Sequence, residues 1–476
     1  MPIPQLELDL VVPEVSYRSS PLTVATEFVT VPGFAEPHTP ARYNQSYYLR
    51  YFRPEDELDT VFVLMPGIFG GATSVDALAR QLVASTPGLE VWAVDRRANA
   101  LEDRSVMVES LQKRDPGAAY RYYIEAAGTP SGFNALPPEK VQFMGYWGLD
   151  VHLRDLHAAV LDAEAQADTV ILAGHSLGAS LVGFYAAYDF ADAGAPADAG
   201  HEHIDGLVLL DGALGRTGGF SIGESMTALL SLLPDRRGLE TGTDAPYLTF
   251  GISPQFQAQR ESLALLARYR PEDLVPPGIL SFPATNRAAL GVTQDDDYSG
   301  ATVFSSSLGR AVGAQFSGNL GAFFLGGSLG ASSRSVVGVA PGHSVVDWER
   351  GDPDKERSSV AALARSWATP DSNRTEWYFP LRLALDIGEL DFEFTETPGF
   401  VPNTEVLTPT LAVGAGRGLG TSLASFQAYS NARPGSFFSS YILDGFTHLD
   451  IVEAENNPLV SLLKRWLTQV ERVSGR

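Results

Sequence analysis

The sequence contains no cysteine. The protein therefore forms no disulfide, uses no thiolate nucleophile and holds no cysteine-ligated zinc. Positive charge is also scarce, since 34 lysine and arginine residues stand against 57 acidic residues and the formal net charge is −23. This balance argues against nucleic acid and anionic membrane surfaces as partners.

Long hydrophobic runs are absent as well. No apolar stretch reaches the roughly 20 residues of a membrane-spanning helix, so we expect no integral membrane contact. The first residues, Met1-Pro2-Ile3-Pro4, lack the basic and apolar regions of a signal peptide, and we expect none. The location in the cell and the oligomeric state stay open.

The stretch that organises the chain is residues 170–188. Residues 170–174 are apolar and partly β-branched and predict a buried strand, whereas residues 179–188 predict a tightly packed helix. Between them lies Gly174-His175-Ser176-Leu177-Gly178. A Gly-x-Ser-x-Gly pattern between a strand and a helix is typical of a nucleophile elbow, a sharp turn that exposes the serine hydroxyl.

Backbone donors for a developing oxyanion are predicted at two turns. The helix after Ser176 directs its positive end to the serine, and the Leu177 N–H is the first donor. A glycine-rich turn over residues 66–71 follows a predicted buried strand over 60–65. Its Ile68 or Phe69 N–H would be the second donor; we favour Ile68 and expect Phe69 to contact the substrate.

The order of predicted elements indicates an α/β fold with a doubly wound, mostly parallel sheet. Residues 1–58 predict an antiparallel edge, and Leu149, Leu153, Leu156 and Val160 mark one face of a helix. The alternation stops near residue 214 and resumes with strands over 410–414 and 439–443. We therefore expect an α/β core in residues 1–213 and 403–476, interrupted by an inserted cap or lid domain in residues 214–402. The Gly-, Ser- and Phe-rich tract 299–343 should roof an apolar pocket.

A serine nucleophile needs a general base. The chain has eight histidines, and only His448 follows a late buried strand and a loop from which its side chain could reach the elbow. His175 lies inside the elbow and should point away from the hydroxyl. His343, in the predicted cap, is a distant second candidate.

The motifs over residues 174–178, 66–69 and 447–450 resemble the α/β-hydrolase superfamily, in its serine esterase and lipase branch. The resemblance covers roughly residues 59–215 and 405–470. It implies a triad in the chain order serine, acid, histidine, and ester hydrolysis through an acyl-enzyme. The serine at the elbow argues against haloalkane dehalogenases and epoxide hydrolases, which use aspartate there.

One departure from the family concerns the triad acid. The usual acid follows the penultimate strand, where this chain has glycine-rich residues 414–420 without a carboxylate. Asp211, which ends the strand over 207–210, is our candidate, because that strand should lie beside the penultimate one. Asp444 is its rival, Asp386 and Asp391 are poorer candidates, and Asp450 should cap or pair locally.

Arg417 occupies the loop where the acid normally stands. We expect it at the mouth of the site, where it would pair with the displaced acid or bind a substrate carboxylate. A surface arginine in a flexible glycine loop is the alternative.

Several polar groups are interpreted as having no functional role. His201-Glu202-His203 could hold a metal, but its polar loop favours a solvated connection, and we predict no metal and no cofactor. His152 and His157 lie off the apolar face of their helix and should be solvated. Asp295-Asp296-Asp297 should form a solvated turn rather than a calcium site. The charged loop over residues 96–104 should form a local ion-pair network, with a substrate role as the minority alternative.

These residues predict a serine carboxylic ester hydrolase that acts on a small-molecule or polymeric, largely apolar ester. Acyl transfer or lactone opening would use the same residues. A non-catalytic binding protein on a hydrolase scaffold is the alternative from another class.

Overall fold

The computed structural model describes residues 24–191, 195–212, 234–299, 304–318, 334–352, 354–369, 373–390, 399–419 and 423–474. The strands within these ranges are β1 (Ala25–Pro32), β2 (Gln45–Phe52), β3 (Thr60–Met65), β4 (Leu89–Asp95), β5 (Thr169–His175), β6 (Gly206–Leu210), β7 (Arg310–Val312), β8 (Ala314–Gly318), β9 (Arg334–Val339), β10 (Asp347–Glu349), β11 (Thr410–Arg417) and β12 (Phe438–Thr447).

The α-helices in the same ranges are numbered in chain order. They are α1 (Asp76–Ser85), α2 (Ser105–Lys113), α3 (Pro116–Tyr120), α4 (Leu149–Glu164), α5 (Leu177–Ala187), α6 (Arg236–Thr241), α7 (Pro254–Tyr269), α8 (Asn286–Gln294), α9 (Val360–Trp367), α10 (Leu381–Glu389), α11 (Leu423–Asn431), α12 (Asp450–Glu453) and α13 (Pro458–Ser474). None of these helices has the length and apolar character needed to cross a membrane.

The centre of the molecule is an eight-stranded sheet with the order β1-β2-β4-β3-β5-β6-β11-β12. Strands from β4 to β12 in this order run parallel, and β2 pairs antiparallel with both β1 and β4. The predicted doubly wound, mostly parallel α/β sheet and its antiparallel N-terminal edge are thus confirmed. The adjacency of β6 and β11, on which the choice of Asp211 depends, is confirmed too.

Helices cover both faces of the sheet because the central strands are apolar on both sides. Alternate β3 residues belong to different cores, Val61 and Val63 to one and Phe62 and Leu64 to the other. The first core is completed by α4 and α5, and the second by α1 and α13. All four apolar positions predicted on α4 are buried, as the periodicity requires.

The chain between β6 and β11 contributes no described strand to the main sheet. Its described part forms helices and two small antiparallel sheets, β7 with β10 and β8 with β9. The last described α-helix before β11, α10, packs into the core on the α4 face of the sheet. The predicted bounds of the insertion, 214 and 402, stay a prediction.

Several predicted solvated groups are buried, and those interpretations were wrong. His152 lies inside α4 at 2% exposure, with Nδ1 2.7 Å from the Gly148 carbonyl oxygen. The carboxylate of Asp295 accepts the N–H groups of Leu308 and Gly309, and burial raises its pKa to about 8. The partners of Asp295 lie 13 and 14 positions further along the chain, whereas the partner of His152 is the carbonyl at the start of its own helix.

Candidate active site

Ser176 lies at a strained turn between β5 and α5. Its φ of 58° and ψ of −122° are rare for a residue with a side chain and cost about 1–3 kcal/mol. A Cβ on Gly174 would lie 2.2 Å from the Gly178 carbonyl oxygen, and one on Gly178 would lie 2.2 Å from that of Met65. Both glycines are therefore required by the close approach of helix and strands, as the sequence predicted.

Asp211 and His448 meet at the carboxyl edge of the sheet. His448 follows β12 and Asp211 follows β6, and the Nδ1–H of His448 donates to Oδ2 of Asp211 over 2.7 Å. Both side chains are buried, at 2% and 0% exposure. A buried carboxylate on Nδ1 fixes the ring so that Nε2 carries the lone pair of a general base.

The glycine-rich segment after β11 has no carboxylate of its own but binds that of Asp211, which follows the neighbouring strand β6. Oδ1 of Asp211 accepts the N–H of Ala415 over 2.9 Å, and Oδ2 accepts that of Leu419 over 3.2 Å. A Cβ on Gly418 would lie 2.1 Å from Oδ2, so only glycine lets the loop wrap the carboxylate. The departure from the family pattern thus has a structural reason.

The other candidate acids lie elsewhere. Asp444 is exposed within β12 rather than on a loop. Asp386 pairs with Arg236 and Arg382. Asp450 is buried and accepts the N–H of Thr447 over 2.9 Å, which is a local contact, but it also accepts the N–H and the hydroxyl of the distant Ser307 over 3.0 and 2.7 Å. Asp391 falls outside the described residues.

His175 packs against His448, a contact that the sequence did not reveal. The two rings stack with centroids 4.5 Å apart, and the Nε2–H of His175 donates to the His448 carbonyl oxygen over 3.0 Å. Burial, followed by the nearby His448, lowers the pKa of His175 well below its usual value. A neutral His175 therefore fixes the backbone of His448 without adding a charge. His343, the second candidate base, is exposed on the turn after β9.

The turn over residues 66–71 lies against the serine. A Cβ on Gly67 would come within 2.9 Å of the Ser176 Cβ, and Phe69 has a φ of 56°. Leu177 opens α5, and an N–H in the first turn of a helix has no intrahelical acceptor. The turn and the helix start thus flank Ser176, while the roles of Ile68 and Leu177 as donors stay predictions.

Arg96 holds this turn in place. Its guanidinium donates to the carbonyl oxygens of Pro66, Gly67 and Gly70 over 3.1, 2.8 and 3.0 Å, and to the carboxylate of Glu376 over 2.7 Å. Arg96 and Glu376 are both buried. The expectation of a local ion-pair network in loop 96–104 was wrong, because the partner carboxylates, Glu376, Asp155 and Glu261, come from other elements.

Residues 373–379 also bind the turn. The N–H of Gly71 donates to the Arg374 carbonyl over 3.0 Å, and the N–H of Glu376 donates to that of Phe69 over 2.9 Å. A Cβ on Gly71 would lie 2.4 Å from the Asn373 carbonyl oxygen. This part of the predicted cap therefore packs directly on the candidate oxyanion turn.

Three aromatic rings meet at the turn over residues 66–71. Phe69 contacts Phe379 and Phe304 edge to face, with centroids 5.1 and 6.2 Å apart. Phe304 belongs to the tract predicted to roof a pocket, whereas Phe316 of that tract lies on β8 against Tyr298. Residues 319–333, with the other aromatic side chains of the tract, fall outside the described residues.

Arg417 ends β11, in register with Thr447, and is half exposed. Its guanidinium pairs with Asp296 and not with Asp211. The arginine thus stands next to the His448 loop, but a role towards substrate stays a prediction.

No protein-family model matches the chain, and no curated protein does. Among solved structures, a lipase candidate from Sulfolobus solfataricus is similar at 14% identity with a TM-score of 0.49, covering 95% of this chain and 97% of that chain. A thermophilic esterase from Thermogutta terrifontis, described as malate-bound, is similar at 12% identity with a TM-score of 0.36, covering 93% and 99%. An epoxide hydrolase from an endophytic Streptomyces is similar at 13% identity with a TM-score of 0.42, covering 94% and 96%.

The fold class follows from this chain's own sheet and elbow. The strand order, the antiparallel edge and the strained serine between β5 and α5 define an α/β-hydrolase fold.

Proposed function

We propose that the protein is a serine hydrolase that cleaves a largely apolar carboxylic ester through an acyl-enzyme. The observation that carries this proposal is the buried 2.7 Å contact between Asp211 and His448 at the sheet edge that bears the strained Ser176. A binding protein on the same scaffold would have no use for this combination, because the strained turn and the buried carboxylate both cost stability.

The reaction follows from these groups. Oγ of Ser176 attacks the ester carbonyl carbon while Nε2 of His448 takes its proton, and Asp211 stabilises the imidazolium. The N–H groups of Leu177 and Ile68 hold the oxyanion of the tetrahedral intermediate. His448 then protonates the leaving alcohol, and the acyl-enzyme forms. Water, deprotonated by His448, attacks the acyl carbon and releases the carboxylic acid and Ser176.

The first test is covalent labelling. A fluorophosphonate should label the wild-type protein at one site and should fail to label Ser176→Ala, because only an activated serine attacks the phosphorus. Mass spectrometry of the digested protein locates the adduct. An unlabelled wild type, or equal labelling of Ser176→Ala, would refute the enzyme hypothesis.

The second test concerns the apolar side of the substrate. Phe304→Ala should open space beside Phe69 and raise kcat/KM for p-nitrophenyl palmitate relative to butyrate on the order of tenfold. The measurement is a panel of esters from acetate to palmitate. Phe316→Ala is the matched control, since it removes the same ring from β8 and should leave the profile unchanged. An identical profile for wild type and Phe304→Ala would show that Phe304 does not line the substrate pocket.

A further inference from the structure

A second group of polar side chains lies at the end of α5 opposite Ser176. His157 of α4 and Asp198 and His203 of the loop before β6 each offer one ligand atom, and these atoms all lie within 4.8 Å of one another. The sequence analysis considered a metal only at residues 201–203, favoured a solvated connection there and expected His157 to be solvated. In the structure, His157 instead stacks on Phe190 and meets His203 edge to face, with centroids 3.9 and 4.9 Å apart.

Each of the two imidazoles is oriented by a partner at Nδ1. Nδ1 of His157 lies 2.9 Å from the hydroxyl oxygen of Tyr185, and Nδ1 of His203 lies 3.0 Å from a carboxylate oxygen of Glu164. When Nδ1–H donates to such a partner, Nε2 keeps its lone pair. Metal-binding histidines are almost always held in this way. Nε2 of His203 already faces the carboxylate of Asp198 at 2.7 Å.

The surroundings favour a cation. Carboxylate oxygens of Glu164 and Asp198 lie 3.0 and 2.7 Å from the two ring nitrogens of His203, and the His157 ring meets the same ring edge to face. One imidazole from α4 and two carboxylates thus face the His203 ring, and together they offer a cation nitrogen and oxygen donors.

We propose that His157, Asp198 and His203 bind a divalent metal ion of the zinc type. Two imidazole nitrogens and a carboxylate oxygen suit Zn²⁺, with water in the fourth position. In a tetrahedron with bonds of about 2.0 Å the ligand atoms lie about 3.3 Å apart, so the contact between His203 and Asp198 would widen and the ligand atoms, now within 4.8 Å of one another, would adjust to that separation. The ion would join α4 to the loop before β6 and, through Tyr185, to the end of α5, which makes the site structural.

Calorimetric titration of the EDTA-treated full chain with Zn²⁺ tests the site. Wild type should bind one equivalent, and His157→Ala and His203→Ala should each lose affinity by at least on the order of 100-fold. Glu164→Gln, which alters only the support of His203, should lose about 10–100-fold. Zn²⁺ should also raise the Tm of wild type and leave that of His157→Ala unchanged.

His201→Ala is the matched control. His201 lies in the same short helical turn as His203, two positions earlier, and is not a member of the cluster. Its affinity for Zn²⁺ should equal that of wild type, and circular dichroism establishes that each variant is folded. No saturable binding by wild type would overturn the proposal. So would an equal loss of affinity in His201→Ala and His157→Ala, since binding would then not depend on the cluster.

Discussion

Asp211→Asn should lower kcat on the order of 10⁴-fold while the protein stays folded. The buried carboxylate accepts the Nδ1–H of His448, and an amide NH₂ in its place would donate to Nδ1 instead. The ring proton would then reside on Nε2, where the base must accept the proton of Ser176. The measurement is steady-state hydrolysis of p-nitrophenyl butyrate, with circular dichroism to establish the fold.

Asp444→Asn is the matched control for this substitution. It makes the same chemical change at an exposed position in β12, and kcat should stay within about twofold of wild type. Should the two effects be reversed, Asp444 would be the acid and the hypothesis for Asp211 would fail.

The sequence predicted those parts of the fold that depend on local pattern. β3 and β5 are apolar runs bounded by polar residues, and the apolar face of α4 repeats at helical spacing. The glycines around Ser176 are fixed by the turn that they form. The position of Asp211 followed from one topological step, that the strand after the elbow helix lies beside the penultimate strand, and β6 pairs with β11 as expected.

Polar contacts between distant segments could not be predicted in this way. Arg96 and Glu376 are 280 positions apart, and the sequence around either residue does not indicate the other as its partner. Asp295 looks solvated because its neighbours in sequence are acidic, and its burial depends on the N–H groups of Leu308 and Gly309, which only the tertiary structure supplies. His152 looks solvated because it lies off the apolar face of α4; its partner at Nδ1 is local, but its burial depends on the elements that pack against the helix. The contact of His175 with His448 is of the same kind.

The double variant Arg96→Met/Glu376→Gln should lower kcat on the order of 10²- to 10³-fold with little change in KM. Without the guanidinium, the carbonyl oxygens of Pro66, Gly67 and Gly70 lose the hydrogen bonds that Arg96 donates to them. The turn then loosens, and with it the N–H of Ile68, the candidate oxyanion donor. Loss of one oxyanion donor has an effect of this size. Both charges are removed together because a single change would leave the other buried and unpaired, at a cost of about 3–5 kcal/mol.

The neighbouring pair provides the control. Arg97 and Asp155 are also buried and paired, but the guanidinium of Arg97 donates to the Phe34 carbonyl and to Asn44, away from the turn. Arg97→Met/Asp155→Asn should therefore lower the Tm about as much as the first double variant while kcat stays near wild type. A positioning role for Arg96 predicts this split between Tm and kcat. Equal losses of kcat in the two double variants would show that Arg96 acts only through general stability.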